Sequence, residues 1–163
     1  MELRPFRPDD AEIILSWLGS ERELLLWSGP LYGHYPVAPQ EMIGRYAASA
    51  PDLCPFTAVE NGRIVGHLIL RRTQDPAEMR LGEIIVDSRL RGQHIGSCMI
   101  RAALALARDS FGATAVSLGV YLNNPAAHRC YLSVGFVPYD DQKVYTMMGE
   151  PWTFQNMRCI ITP

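Results

Sequence analysis

The chain has 163 residues, 48% of them hydrophobic and 20% charged, with a formal net charge of −2. That length and balance predict one globular domain over residues 1–163 with a sizeable core. They argue against a general nucleic-acid binder, which carries a basic excess or stripe. The four cysteines (Cys54, Cys98, Cys130 and Cys159) are scattered, without a C-x-x-C pair or His-rich spacing. They read as free thiols in a reducing compartment, with no metal site. Met1-Glu-Leu-Arg-Pro-Phe-Arg7 lacks the apolar core of a signal peptide, and no apolar run is long enough to span a bilayer. The expectation is a cytoplasmic protein with neither membrane nor nucleic acid as partner.

In chain order, Glu2–Arg7 reads as a strand closed by Pro8. Asp9 and Glu12 form a capping-box pattern for a helix whose stripe is Ile13, Ile14, Trp17 and Leu18, ended by Gly19. Glu21–Trp27 predicts a second short helix, and Ser28–Ala38 a Gly-, Pro- and aromatic-rich loop. Pro39 suits the first turn of a third helix with Met42, Ile43, Tyr46 and Ala47 inward. Phe56–Glu60 and Arg63–Leu70 are strand-like runs around Asn61-Gly62, the strongest short hairpin signal. After a loop at Thr73–Glu78 comes a strand ending at Val86.

A loop carrying Arg89, Arg91, Gly92 and Gly96 then opens into a helix over 97–111, stopped by Gly112. Ala115–Leu122 alternates as a strand, with Val116, Leu118, Val120 and Leu122 on one face. Asn124-Pro125 starts a helix to Val134, with Gly135 after it. Lys143–Met148 and Asn156–Thr162 predict two closing strands. Glu150-Pro-Trp152 falls between them. The fold class is α+β, a mixed, mostly antiparallel central sheet of about seven strands flanked by helices.

Two segments carry chemistry. In Arg91-Gly-Gln-His-Ile-Gly-Ser97, a glycine-bearing loop feeds a helix start, where unpaired N–H groups and the helix dipole favour an anion. Alone, the loop reads equally as a tight turn with solvated arginines. It is neither a Walker loop nor a dinucleotide fingerprint. The second segment is Asn124-Pro-Ala-Ala-His-Arg-Cys-Tyr-Leu-Ser-Val-Gly-Phe136, where Ala127 and Tyr131 share a helix face. Tyr131 reads as a proton donor or as an aromatic core residue.

Together, at this spacing, the two segments resemble the GNAT superfamily of acyl-CoA-dependent N-acetyltransferases. The resemblance covers essentially the whole chain and implies acetyl-CoA as co-substrate. Arg91, Gly92, Gln93, His94, Ile95, Gly96 and Ser97 match the pyrophosphate loop. His94 stands where the family's first glycine usually is, and its Cβ restricts the backbone there. Ile84, Ile85 and Val86 match the strand that holds the pantetheine arm, and an N–H near Ile85 or Val86 would polarise the acyl carbonyl. Asn124 and Ala127 fall on the cofactor side, and Tyr131 matches the proposed general acid.

The implied chemistry is direct attack of a primary amine on a thioester, which needs a neutral amine, an oxyanion donor and a proton for sulfur. Glu83 reads either as the base or as a solvated or salt-bridged residue. Strict alternation puts it opposite Gly82, Ile84 and Val86, and a bulge would reset that parity. In the resembled fold Trp27, Tyr32, His34 and Tyr35 flank the amine acceptor's cleft. Three alternatives stand beside acetyl transfer to a small molecule: another acyl group, a peptide or protein acceptor, or a catalytically idle CoA- or partner-binding module. Edge strands near the C-terminus admit a homodimer.

Overall fold

The Asn61-Gly62 turn forms as its sequence dictates. Both residues take positive φ, 49° and 75°, and the register closes with Glu60 opposite Arg63. A computed structural model describes residues 1–161. Its elements are β1 (Glu2–Pro5), α1 (Asp10–Leu15), α2 (Glu21–Ser28), α3 (Pro39–Ala48), β2 (Leu53–Glu60), β3 (Arg63–Arg72) and β4 (Glu78–Val86). Then follow α4 (Ile95–Phe111), β5 (Ala115–Tyr121), α5 (Pro125–Val134), β6 (Val137–Pro138), β7 (Lys143–Met147) and β8 (Glu150–Ile160).

These strands form one eight-stranded sheet in the order β1-β2-β3-β4-β5-β8-β6, with β7 also paired to β8. Every pairing is antiparallel except β4 with β5. That parallel contact is confined to Glu78–Arg80 against Ala115–Ser117. Past Arg80 the two strands part, so among the described residues that edge of β4 has no strand partner.

The sheet carries a core on each face. On one side α4 and α5 pack against it, burying Met99, Ile100, Ala103, Leu104 and Ala107 at helical spacing over Leu68, Leu70, Leu81, Val116 and Leu118. Helix α4 lies close to the sheet because residue 66 is glycine. A Cβ there would stand 2.6 Å from Met99 Sδ. On the other side α1 to α3 bury Ile14, Trp17, Leu24, Met42 and Tyr46 over Leu53, Ile69 and Ile85.

Several boundaries differ from the sequence expectations. Asp9 precedes α1 but makes no capping hydrogen bond. Its neighbour Asp10 is the residue that turns inward, accepting from the Arg7 N–H (2.9 Å), Thr57 Oγ1 (2.7 Å) and both Nη atoms of Arg4. Ala47 is exposed, and the half-buried Arg45 takes the inward side of α3. Helix α4 begins at Ile95, and Glu150-Pro-Trp152 belongs to β8. The turn Met148-Gly149 joins β7 to β8 with both φ positive, 51° and 74°. Thr162, expected in the last strand, lies outside the described residues.

Candidate functional site

A cavity of about 630 Å³ runs from the α4 N-terminus along the open edge of β4 to α5. Glu83, Ile84, Ile85 and Val86 line it from β4, and Arg91, Gly92, His94, Ile95, Gly96 and Ser97 from the loop and first turn of α4. Asn124, Ala127 and Tyr131 line it from α5. Gln93 is exposed and outside it. The cavity thus gathers most of the residues singled out from the sequence.

At its loop end, the first helical hydrogen bond of α4 runs from the Cys98 N–H to the His94 carbonyl. The N–H groups of the preceding turn have no partner within the helix, so they and the helix dipole favour an anion. Gly92 has φ 78° and His94 φ 62°. His94 therefore adopts the left-handed conformation that glycine takes freely, at a cost of about 1–2 kcal/mol. A methyl at Gly96 would meet only Cys130 Sγ at 3.6 Å and Val86 Cγ2 at 3.7 Å, ordinary contacts. The protein itself leaves that spot open. Arg129 also lines the cavity. Sequence reading missed it, although it sits inside the Asn124–Phe136 motif.

Asn124 has a structural task as well. Its Oδ1 accepts from the Ala127 N–H (3.2 Å) and caps α5. Tyr131 is 7% exposed. Among the described residues its hydroxyl makes no hydrogen bond, and burial pushes its pKa up, keeping the proton on oxygen.

Glu83 sits at a bulge. Between the pairs Ile69–Gly82 and His67–Ile85, β3 advances by two residues and β4 by three. Glu83 absorbs the extra residue with φ 47°. Of the two sequence alternatives, strict alternation or a bulge, the bulge is the one that forms. Gly82 packs against Ile69 of the α1–α3 face, whereas Ile84 and Val86 pack into the opposite core. The Glu83 side chain turns to the α1–α3 face, where it is ion-paired with Arg45 and accepts from the Tyr46 hydroxyl at 2.7 Å.

A hydroxyl carries one proton. With that O–H donated to Glu83 Oε2, the Tyr46 oxygen accepts from the His67 Nε2–H at 2.8 Å. His67 is fully buried, and burial depresses its pKa to about 3. Burial also raises the Glu83 pKa, against the opposing pull of Arg45 and the Tyr46 hydrogen bond. Neither Tyr46 nor His67 was singled out as a site residue. Their link to Glu83 spans distant parts of the chain and has no local sequence signal.

On the α1–α3 side lies a second cavity of about 300 Å³. It shares Leu26, Trp27, Leu81, Gly82, Glu83 and Gly119 with the first, so the two meet where β4 and β5 part. Trp27 thus borders both. Tyr32 stacks on Trp27 (centroids 6.1 Å apart) and receives the Arg45 guanidinium over its ring, but lines neither cavity. His34 is held by Glu41 (2.7 Å), and the Tyr35 hydroxyl donates to the Leu18 carbonyl (3.1 Å). They too lie outside both cavities.

A splayed parallel strand pair, a helix N-terminus and residues of both sequence motifs thus meet in one cavity. A sequence model of the acetyltransferase (GNAT) family matches residues 17–136, and the chain belongs to that family. It is 34% identical to mouse N-acetylaspartate synthetase over 107 residues, 66% of this chain and 36% of that protein. The chain thus spans about a third of the length of those relatives. It is 26% identical to the L-amino acid N-acetyltransferase AaaT of Escherichia coli K12 over 102 residues, 61% of this chain and 63% of that one. Spermidine N-acetyltransferase from Vibrio cholerae, solved with CoA and spermine, shares the fold at a TM-score of 0.81 and 18% identity, covering 98% of this chain and 94% of that one. So does yncA of Salmonella typhimurium with its cofactor acetyl-CoA, at 0.77 and 18%, covering 100% and 95%.

Proposed function

We propose that this protein is an N-acetyltransferase that moves an acetyl group from acetyl-CoA to a primary amine by direct attack. The observation that carries the reading is the junction of two features in one cavity. The open edge of β4 offers unpaired backbone groups to an extended arm, and the free first turn of α4 offers N–H groups to a diphosphate. Bound acetyl-CoA supplies an activated thioester carbonyl. The net change forms one N–C bond, breaks one C–S bond and moves one proton from the amine to sulfur.

In this reading Ile84, Ile85 and Val86 hold the arm, and Arg91, Gly92, His94, Ile95, Gly96 and Ser97 hold the diphosphate. Tyr131 keeps a proton at its oxygen for the departing thiolate. Glu83 positions the amine and takes its proton directly or through water. Its location where the two cavities meet supports that role, while its bonds to Arg45 and Tyr46 fix the carboxylate in place. The free thiols of Cys54, Cys98, Cys130 and Cys159 suit a reducing, cytoplasmic setting. The relatives are named for anionic and cationic acceptors alike, aspartate and spermidine among them, so family membership leaves the charge of the acceptor open.

Thermal shift tests the co-substrate. Acetyl-CoA at about 100 times its Kd adds ~2.7 kcal/mol, a rise on the order of 5–11 °C for a domain of this size. No rise with acetyl-CoA or CoA overturns the assignment.

A further inference from the structure

The second cavity is unusual in its charge. Three arginines (Arg45, Arg71 and Arg80) and a single carboxylate, Glu83, line it. Glu83 is ion-paired with Arg45 through one guanidinium nitrogen. Arg71 and Arg80 are left. They are register partners directly opposite each other on β3 and β4. Like charges in that position destabilise a sheet. Among the described residues neither makes an ion pair with a carboxylate. Arg80 donates only to the neutral Asn156 Oδ1 (2.8 Å), and Asn156 in turn donates to Asp140 Oδ2 (2.7 Å).

The fold also makes room for this arrangement. Residue 119 on β5 is glycine, and a Cβ there would lie 2.0 Å from Phe154 Cζ and 2.9 Å from Arg80 Nη2. Phe154 and the Arg80 head therefore occupy the wall of the cavity only because residue 119 has no side chain. Among the described residues, Trp27 Nε1 and Arg45 Nη1, both on cavity-lining residues, are buried donors without a partner. Both of these unpaired side-chain groups are donors.

We infer that the acceptor, given the transfer proposed above, is a small amine that carries a carboxylate, an amino acid rather than a polyamine, with Arg71 and Arg80 as its carboxylate clamp. A carboxylate between the two guanidiniums converts a repulsive pair into two charge-assisted contacts. Arg80 stands two residues before Gly82 on β4, about 7 Å along the strand, a span the arginine side chain covers. A ligand clamped there extends its amine toward Gly82, Glu83 and Gly119, where the cavities meet. A polyamine brings several positive charges to a wall already in cationic excess, and its far amine finds only a carboxylate engaged by Arg45.

The test measures CoA thiol release with the standard L-amino acids, their decarboxylated amines, their amides and spermine. Alongside it, calorimetric titration of the best acceptor into the CoA-bound protein reads binding without turnover. Amino acids should exceed their decarboxylated and amide counterparts. Arg71→Gln and Arg80→Gln should each raise the acceptor's KM and Kd on the order of 10- to 100-fold, with Arg71→Lys partly restoring it. The acetyl-CoA thermal shift should be unchanged in all three variants. Because Arg71→Gln removes one of two facing like charges, its melting temperature should stay within about 2 °C of wild type or rise. Preference for carboxylate-free amines, no turnover with any amino acid, or less than about a threefold change in both Gln variants overturns the inference. If acetyl-CoA gives no thermal shift at all, the transfer reading falls and takes this inference with it. The shift therefore separates the two failures.

Discussion

His67 makes the buried network of the α1–α3 face sensitive to acid. The residue is 0% exposed, and burial depresses its pKa to about 3. An unfolded chain would bind a proton there near pH 6.5. Between about pH 6.5 and 3 the unfolded state therefore holds one more proton at this site than the folded state. Stability rises with pH where that is so, by up to about 1.4 kcal/mol per pH unit. The contribution is complete above the unfolded pKa and is lost as pH falls toward the folded one. From pH 6 to 4.5 it amounts to about 2 kcal/mol.

The variant His67→Gln keeps a donor toward Tyr46 but has no proton to gain. Urea unfolding of both proteins, followed by circular dichroism at half-unit steps of pH, isolates the term. All other titrating groups are common to both, so they cancel in the difference between the two slopes. Wild-type stability should fall about 2 kcal/mol further than the variant's across that window. Parallel curves would refute the burial argument, because they would mean that His67 protonates in the folded state as it does in the unfolded one.

Three further outcomes follow from the geometry. Tyr131→Phe removes the only group of that side chain able to donate a proton, so turnover should drop on the order of 10²- to 10⁴-fold while the acetyl-CoA thermal shift persists; unchanged turnover across pH removes Tyr131 from the chemistry. Gly119→Ala forces a Cβ to within 2.0 Å of Phe154, so it should cost about 1–3 kcal/mol in chemical denaturation and weaken the acceptor more than acetyl-CoA. Asn124→Ala deletes the α5 cap and should cost about 1 kcal/mol, or roughly 2–4 °C in Tm; a loss confined to acetyl-CoA affinity would instead make Asn124 a ligand group.

Where local geometry decides, the sequence was legible. Asn61-Gly62 specifies its own turn, and a glycine-bearing loop ahead of an apolar-periodic run specifies a helix start at Ile95, two residues from the predicted one. The second tight turn was hidden because Met148, a residue with no turn preference, occupies a positive-φ position. The start of β8 was hidden by Pro151, which sits at an end of the strand where a missing donor is tolerated. Asp9 and Glu12 matched a capping box, yet the neighbouring Asp10 found three donor residues in the folded chain and set the local geometry. The aromatics of residues 27–35 read as one substrate surface. Only Trp27 lines a cavity, because the Tyr35 hydroxyl and His34 are bonded elsewhere.

The bulge at Glu83 explains why the two cavities can share one strand. The apolar run Ile84-Ile85-Val86 is compatible with either parity, so sequence could not choose between them. The choice rests on Arg45 and Tyr46 of α3, which bond the Glu83 carboxylate and offset the cost of its left-handed backbone, about 1–2 kcal/mol. With Glu83 turned toward α3, Gly82 lies beside it, while Ile84 and Val86 pack into the α4–α5 core. A β4 that continued the parity of Met79 and Leu81 without the bulge would turn Glu83 into that core. One extra residue thus lets β4 present its open edge to one cavity and the Glu83 carboxylate to the other within two positions, and the parting of β5 after Ser117 joins them.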